Sequence, residues 1–337
     1  MPTPRFSVVI PTRNGDAYIG AAIESVLNQT YPHFEIIILE HESQDRTLEI
    51  ARSYGDPRIQ IRSTQEHQTI ETNWASMLDL ELAEYLTILG HDDIFYPDFL
   101  QAIADLIVRE PDASLYMTHF HIIDSAGNVI RPCQPIPYRE SADQFMRARQ
   151  QFQRDVFATG YVMRSADYKR VGGFPPFKRL YYSDEYTFYR LANLSAKVCS
   201  PGYHFGYRYH RKSESYLSGL DTLTEASLQL VASLQQTDYG REGANLALAQ
   251  DYVRSTVTRR YLRILIHAMR KGDQEAFRRN RAVREAFLNQ IPRHRTSAYD
   301  WAAQIVEAIF RLPAPPLHRL TAKALDYLAI AKRGIKD

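Results

Sequence analysis

Cysteine is scarce in this 337-residue chain: there are two, Cys133 and Cys199, and neither has a CxxC neighbour. That excludes a disulfide framework and a thiolate metal site, and it fits a reducing cytoplasm. Long apolar runs are missing as well. No stretch approaches the roughly twenty apolar residues needed to span a bilayer. The opening MPTPRFSVVIPTRN passes into a strand-like segment without the charged region, apolar core and small-residue cleavage site of a secretory leader. The expected location is therefore cytoplasmic, with peripheral attachment to the inner face of a membrane left open. An excess of one charge sign is also absent, since a net charge of +2 is too small to argue for nucleic acid as a partner. There is no internal repeat and no low-complexity tract.

What is present is an ordinary globular composition, 45% hydrophobic and 24% charged, with enough material for one full core and an appended unit. The first ninety residues alternate short apolar runs with helical patterns, which predicts βα units feeding a mostly parallel sheet flanked by helices. Strands are expected at Phe6–Ile10, Phe34–Leu39, Arg58–Ile61, Tyr85–Leu89 and Ala113–Phe120. Between them, Ile19, Ile23, Val26 and Leu27 share a helical stripe, Asp45 is placed to cap a helix with Leu48 and Ala51, and Trp74, Met77, Leu78 and Leu82 line another. Pro97 suits a first helical position ahead of Phe99, Leu100, Ile103, Leu106 and Ile107. From about Asp221 long helices take over, interrupted at Gly272, Pro292 and Pro313–Pro316. The expected domains are 1–220, divided near 95, and a helical 221–337.

Ligands of open α/β sheets gather at the carboxyl ends of the strands, where helix N-termini and loop N–H groups converge. Polar clusters fall in that place three times, at Pro11-Thr12-Arg13-Asn14-Gly15, at Glu40-His41-Glu42-Ser43 and at His91-Asp92-Asp93. Each alone suits a turn or a cap; three at one sheet edge favour a binding site. Adjacent carboxylates repel unless donors or a cation offset them. Mg²⁺ and Mn²⁺ take oxygen ligands and share phosphate oxygens, so a cation between Asp92 and a diphosphate would account for the pair, with a cap role open for Asp93.

The stretch SVVIPTRNGDAYIGAAIESVLNQTYPHFEIIIL resembles the opening of family 2 glycosyltransferases of the GT-A fold. AEYLTILGHDDIFYPDFL resembles that family's metal motif, VGGFPPFKRLYYSDEYTFYRLA its Gly-Gly-Phe segment and acidic base motif, and YRYHRKSES the tail of its catalytic domain. The order of these segments across Phe6–Ser215 is more specific than any one of them. The resemblance implies an inverting hexosyl-type transfer from a nucleoside-diphosphate sugar to a hydroxyl of a glycan or lipid-linked glycan, in surface polysaccharide synthesis of a bacterial type. It places Pro11, Thr12 and Asn14 in the nucleotide pocket with Glu40 and His41, assigns Mn²⁺ or Mg²⁺ to Asp92 with Asp93 beside it, and makes Asp184 the base, Glu185 taking that role if the register slips by one.

Three positions depart from the family pattern. His41 stands where an acidic residue contacts uracil; a neutral imidazole nitrogen accepts from an imide N–H, which keeps UDP and dTDP donors open and UDP-sugars the first choice. Gly90 replaces the first aspartate of the metal motif, and Ser183 the glutamate before the base. These departures leave a non-catalytic nucleotide-sugar binder or scaffold as an alternative, beside a sugar nucleotidyltransferase, for which PTRNGD is a poor phosphate loop. Tyr181, Tyr182, Tyr186 and Tyr189 offer either a sugar platform or ordinary packing. His204, His210 and Arg208 lie where the family closes a loop over donor phosphates. In the C-terminal region, Asp251–Arg295 carries twelve Lys/Arg against four Asp/Glu. There Val253, Val257, Tyr261, Leu265 and Ala268 form a stripe, with Arg254, Arg259, Arg260, Arg263 and Arg270 on the other faces, a pattern for a helical bundle, a homo-oligomer contact or an anionic lipid surface.

Overall fold

Phe6–Thr12 forms β1, and all seven of its residues are buried, the state of a strand covered on both faces and the reason its apolar run is almost unbroken. The computed structural model that contains it describes residues 3–64, 69–210, 219–311 and 321 and divides into two compact units, Met1–Tyr216 and Leu217–Asp337. In the first, β1 is followed by α1 (Ile19–Leu27), β2 (Phe34–His41), α2 (Thr47–Ser53), β3 (Ile59–Thr64), α3 (Ile70–Ala75) and β4 (Tyr85–Ile88). β1 runs parallel to β2 and β4, and β2 to β3. The half-sheet β3-β2-β1-β4 therefore gathers its carboxyl ends, and the loops that follow them, at one edge. α1 buries Ile19, Ala22, Ile23 and Val26, the stripe its spacing predicts.

Beyond β4 come β5 (Ile94–Phe95), α4 (Phe99–Arg109), β6 (Leu115–Ile123), β7 (Val129–Pro132), β8 (Arg139–Glu140), α5 (Ala142–Gln150), β9 (Val162–Arg164), α6 (Ser165–Arg170), α7 (Ser183–Ala192) and β10 (Lys197–Arg208). β9 enters antiparallel between β4 and β6, β6 and β10 pair in parallel, and β5 runs antiparallel to β10. The sheet is thus parallel on the side of β1 and mixed on the far side, within one α/β layer structure.

Several local expectations shift. The Trp74 helix stops at Ala75 and tightens into a 3₁₀ turn over Ser76–Asp79, where Ser76 Oγ donates to the Asn73 carbonyl at 2.7 Å, so Leu82 lies outside it. Pro97 precedes the cap residue Asp98 instead of opening the helix. Its carbonyl accepts from Thr30 N–H at 2.8 Å. Arg46 holds the cap position of α2, although Asp45 Oδ1 still accepts the Thr47 N–H at 3.0 Å.

Gly160 is a position that only glycine fits. Its φ is +80°, and a Cβ built there would overlap the Phe205 ring. Gly172 has a similar φ of +75° with open space around it. Gly160→Ala is therefore expected to destabilise by roughly 2–4 kcal/mol, through strain plus overpacking, and Gly172→Ala by about 1 kcal/mol, through strain alone. Denaturant midpoints at unchanged m-value check both; equal losses would show that the Phe205 contact does not matter.

The second unit, taken by itself, is helical: α8 (Leu220–Gln235), α9 (Asp238–Arg241), α10 (Gly243–Lys271), α11 (Gln274–Leu288) and α12 (Ala298–Phe310). The predicted stripe of Val253, Val257, Tyr261, Leu265 and Ala268 is buried along α10, which ends at Gly272 in the left-handed conformation, φ +68°. Two arginines counted as surface charge are turned inward. Arg254 is buried and donates through Nη1 to the carbonyls of Leu288 and Ile291, at 3.1 and 2.6 Å. Arg284, also buried, lies 3.3 Å from Asp300 Oδ1. Part of the basic excess therefore satisfies helix ends and a buried ion pair, and leaves a thinner cationic surface than the count suggests. The Pro313–Pro316 break lies outside the described residues, as do Arg211–Ser215 of the YRYHRKSES stretch. No described helix is long and apolar enough to cross a membrane.

Candidate active site at the carboxyl edge of the sheet

β1 and β2 end side by side, and their loops are tied together by hydrogen bonds. Asn14 turns the first loop at φ +51°. Its N–H donates to Ser43 Oγ at 3.0 Å, the Gly15 N–H to Thr47 Oγ1 at 2.7 Å, and Asn14 Oδ1 accepts from Gln44 N–H at 2.8 Å. Gly15 admits no side chain, because a Cβ would stand 2.6 Å from His91 Cδ2 and 2.8 Å from Thr12 Oγ1. Asn14, expected against the nucleotide, is exposed and joins the two loops. Glu40 is buried, with Oε1 accepting from Ser43 N–H at 2.7 Å and Oε2 from Ser63 O–H at 2.5 Å. Its carboxylate holds the second loop where a nucleotide contact was expected.

Pro11, Thr12 and His41 are buried at the same edge. Thr12 Oγ1 and His41 Nδ1 are both without a hydrogen-bond partner, a costly state for buried polar atoms and one that a bound ligand relieves. Burial, and then the charge of Arg13, holds the His41 imidazole below its ordinary range and hence neutral at pH 7.

β4 delivers the paired aspartates, which the structure separates into different environments. Asp93 is 2% exposed. Its Oδ1 accepts the Arg208 N–H at 2.7 Å and its Oδ2 the Thr159 hydroxyl. Burial and the neighbouring Asp92 charge push its carboxyl well up. Asp92 is partly open, and its Oδ2 accepts from His210 Nε2 at 2.8 Å. Burial acts to raise Asp92, yet the His210 hydrogen bond and the charges of His91 and His210 carry it below the usual range. Gly90 allows this crowding: a Cβ there would stand 2.7 Å from Asp93 Oδ2 and 2.9 Å from Asp92 Oδ1. An aspartate in place of Gly90 would force these carboxylates to shift.

Arg208 is structural here. Its Nε donates to the Asp92 carbonyl at 2.6 Å, its Nη1 to the carbonyls of Asp124 and Ser125 at 2.9 and 3.1 Å, and its guanidinium lies 4.8 Å over the Tyr18 ring. His204 Nδ1 sits 2.9 Å from Asp98. Of the three residues expected around donor phosphates, Arg208 and His210 are both brought to the aspartates, and His210 is the one whose side chain meets a carboxylate, that of Asp92.

Asp184 stands in the first turn of α7, reached through a left-handed run at Arg179 (φ +53°), Leu180 (+57°) and Tyr182 (+65°). Such non-glycine conformations cost roughly 1–2 kcal/mol each. Glu71 helps to hold the run, its Oε1 accepting the Arg179 N–H at 2.8 Å, and Ser183 Oγ anchors α7 on the Pro175 carbonyl at 2.8 Å. Adjacent acids diverge again. Glu185 is 1% exposed and ion-paired to Arg149 Nε. Asp184 is half-buried, with Oδ1 accepting the Glu185 N–H at 2.8 Å. Burial, and then the Glu185 charge, raises the Asp184 carboxyl to about 7. Tyr182 and Tyr189 are buried packing residues, whereas Tyr181 and Tyr186 are half-exposed.

Asp92 and His210 suit a divalent cation. One carboxylate oxygen and one imidazole nitrogen face each other across 2.8 Å. No group of three His, Cys, Asp or Glu able to hold a metal stands together among the described residues. An ion held by the pair would replace the hydrogen bond between them and complete its shell with phosphate oxygens and water, as Mg²⁺ and Mn²⁺ commonly do. The nitrogen favours Mn²⁺ over Mg²⁺. Thr159 carried no sequence signal, and Tyr207 and His210, the latter 118 residues from Asp92, were visible only as part of the YRYHRKSES stretch.

Known proteins are similar to this chain in sequence and in fold. Residues 7–166 match the model of Glycosyl transferase family 2. An uncharacterized glycosyltransferase of Rickettsia conorii is 34% identical over 137 residues, which cover 38% of this chain and 22% of that protein. Among solved structures, S. aureus TarS in complex with UDP-GlcNAc aligns with a TM-score of 0.58 at 16% identity, over 85% of this chain and 92% of that one. A mannosyltransferase from Pyrobaculum calidifontis, in complex with GDP-Man and Mn²⁺, aligns with a TM-score of 0.54 at 15% identity, over 98% of this chain and 87% of that one. Residues 7–166 thus match a glycosyl transferase family 2 domain, on a fold of the GT-A type.

Proposed function

We propose that this transferase moves a sugar from a nucleoside-diphosphate donor to a hydroxyl acceptor in a single displacement that inverts the anomeric carbon, with Asp184 as base. The observation that carries the reading is the contrast in the SDE turn. Glu185 is ion-paired to Arg149, while burial, and then the Glu185 charge, raises the Asp184 carboxyl to about 7, where a general base at neutral pH works best. The donor's base would lie against Thr12 and His41, whose orphaned atoms are one hydroxyl and one neutral imidazole nitrogen. An imide N–H donating to His41 Nδ1 keeps uridine and thymidine diphosphates as the preferred donors.

Asp92 and His210 would hold the divalent cation, which supplies positive charge to the departing diphosphate. Asp93, Arg208 and Thr159 keep Asp92 in place. A glycan or lipid-linked glycan acceptor, a role in surface polysaccharide synthesis and a cytoplasmic or peripheral location belong to the same proposal. The nucleotidyltransferase alternative loses support, since the loop amides of Asn14 and Gly15 donate to Ser43 and Thr47 and are not turned to a phosphate.

A thermal-shift panel of UDP, GDP, dTDP and CMP with Mn²⁺ or Mg²⁺ tests this reading. UDP or dTDP is expected to raise the midpoint by several degrees at about 100 times Kd, more with Mn²⁺ than with Mg²⁺. No shift with any nucleotide would reject the donor site, and a shift with GDP alone would reject the base assignment.

A further inference from the structure

The segment leading into β9 makes three contacts with alternate residues. Phe157 stacks on Tyr207, with ring centroids 3.5 Å apart and planes 8° from parallel. Thr159 donates to Asp93 and accepts the Gly90 N–H at 2.9 Å. Tyr161 stacks on Phe188 of α7, at 3.9 Å and 17°. Five residues thus connect an aromatic pair, the aspartates after β4 and the helix of Asp184. Tyr207 is fixed from the other side as well, because the next residue, Arg208, gives its N–H to Asp93. Burial raises the Tyr207 hydroxyl, followed in effect by the charges of Asp93, Asp92 and Asp184, so one side chain lies in the field of all three carboxylates.

The two aromatic stacks differ in exposure. Tyr161 and Phe188 are 2% and 0% exposed and simply fill the core. Phe157 and Tyr207 are neither fully buried nor exposed, so part of each residue still meets solvent, and covering apolar area there with an apolar face gains about 25 cal/mol per Å². In the displacement proposed above, the diphosphate leaves from the Asp92 side and the attacking hydroxyl sits at Asp184. A sugar ring must lie between them, and sugar rings present an apolar face of C–H groups.

We propose that Phe157 and Tyr207 form a stacking platform for a pyranose ring between Asp92 and Asp184. This rests on the glycosyltransferase reading for its location, and the ring belongs either to the donor or to the acceptor. Saturation-transfer NMR with methyl pyranosides of glucose, galactose, mannose and N-acetylglucosamine tests it without any nucleotide. Wild type is expected to transfer saturation to ring protons of at least one pyranoside, Tyr207→Phe to retain this, and both Tyr207→Leu and Phe157→Leu to lose it at unchanged Tm. No transfer in wild type, or transfer persisting in both Leu variants, overturns the platform.

Calorimetry with UDP, UDP-GlcNAc, GDP and GDP-mannose in Mn²⁺ then separates the two sources. If the donor ring stacks, the affinity gained by adding the sugar falls about tenfold in Tyr207→Leu. If the acceptor ring stacks, that gain is unchanged and the pyranoside signal survives a saturating nucleotide sugar. Failure of every nucleotide to bind would count against the donor site, and the pyranoside result would still decide the platform.

Discussion

Asp184→Asn is expected to lower the transfer rate by roughly 10²–10⁴-fold, the usual contribution of a positioned general base, while donor affinity in Mn²⁺ stays within about a factor of two. Asparagine keeps the shape and still accepts the Glu185 N–H through its carbonyl, so the α7 turn survives. What it lacks is a site for the acceptor's proton. Because the wild-type carboxyl sits near 7, activity should climb with pH through that value as the base ionises. The stability linkage has the opposite sign. Between the ordinary 3.8 and about 7, the folded state holds a proton that the unfolded chain has released. The stability contribution is therefore full below the lower value and is lost as pH rises through the upper one. Wild type should lose more stability across that window than the Asn variant, in which the raised carboxyl of Asp93 remains. A variant that transfers sugar at the wild-type rate, or a wild-type rate indifferent to pH between 5 and 8, would remove Asp184 from the mechanism.

The parallel half of the sheet could be read from the chain because its signal is local. Phe6–Thr12 and Phe34–His41 are buried on both faces, so their apolar runs are continuous, and the Ile19, Ile23, Val26 stripe repeats at the helical period. The mixed half was less legible, since β9 is three residues long and owes its place to pairing with β4 and β6, contacts of long sequence separation. The same limit applies to the site. Spacing brought out Asp92 and Asp184. It could not distinguish acids by environment: that Glu40 and Asp93 give both oxygens to protein donors, or that Glu185 belongs to Arg149, depends on partners 3 to 115 residues away. His210 and Thr159 reach Asp92 and Asp93 only through the fold, and Arg254 and Arg284 read as surface charge because helical periodicity does not show which carbonyls or carboxylates await them.

Asp92→Ala is expected to weaken nucleotide binding in Mn²⁺ by about a hundredfold, or about 2.7 kcal/mol, and to lower transfer by roughly a thousandfold, since the charge that stabilises the leaving diphosphate is lost as well. Without a divalent cation the affinities of variant and wild type should converge, which separates a metal role from a general loss of structure. His210→Ala should act more mildly and unequally: removing the nitrogen ligand should reduce the advantage of Mn²⁺ over Mg²⁺, because oxygen-only sites discriminate less between them. Gly90→Asp, which restores the acidic residue common in the family, should not strengthen the site. Its Cβ would stand 2.7 Å from Asp93 Oδ2 and 2.9 Å from Asp92 Oδ1, adding a third carboxylate where two already oppose each other and forcing Asp92 away from His210. If Asp92→Ala left the Mn²⁺-dependent part of nucleotide affinity intact, the Asp92–His210 contact would be a hydrogen bond that organises the loop, and the cation would have to be held by other residues.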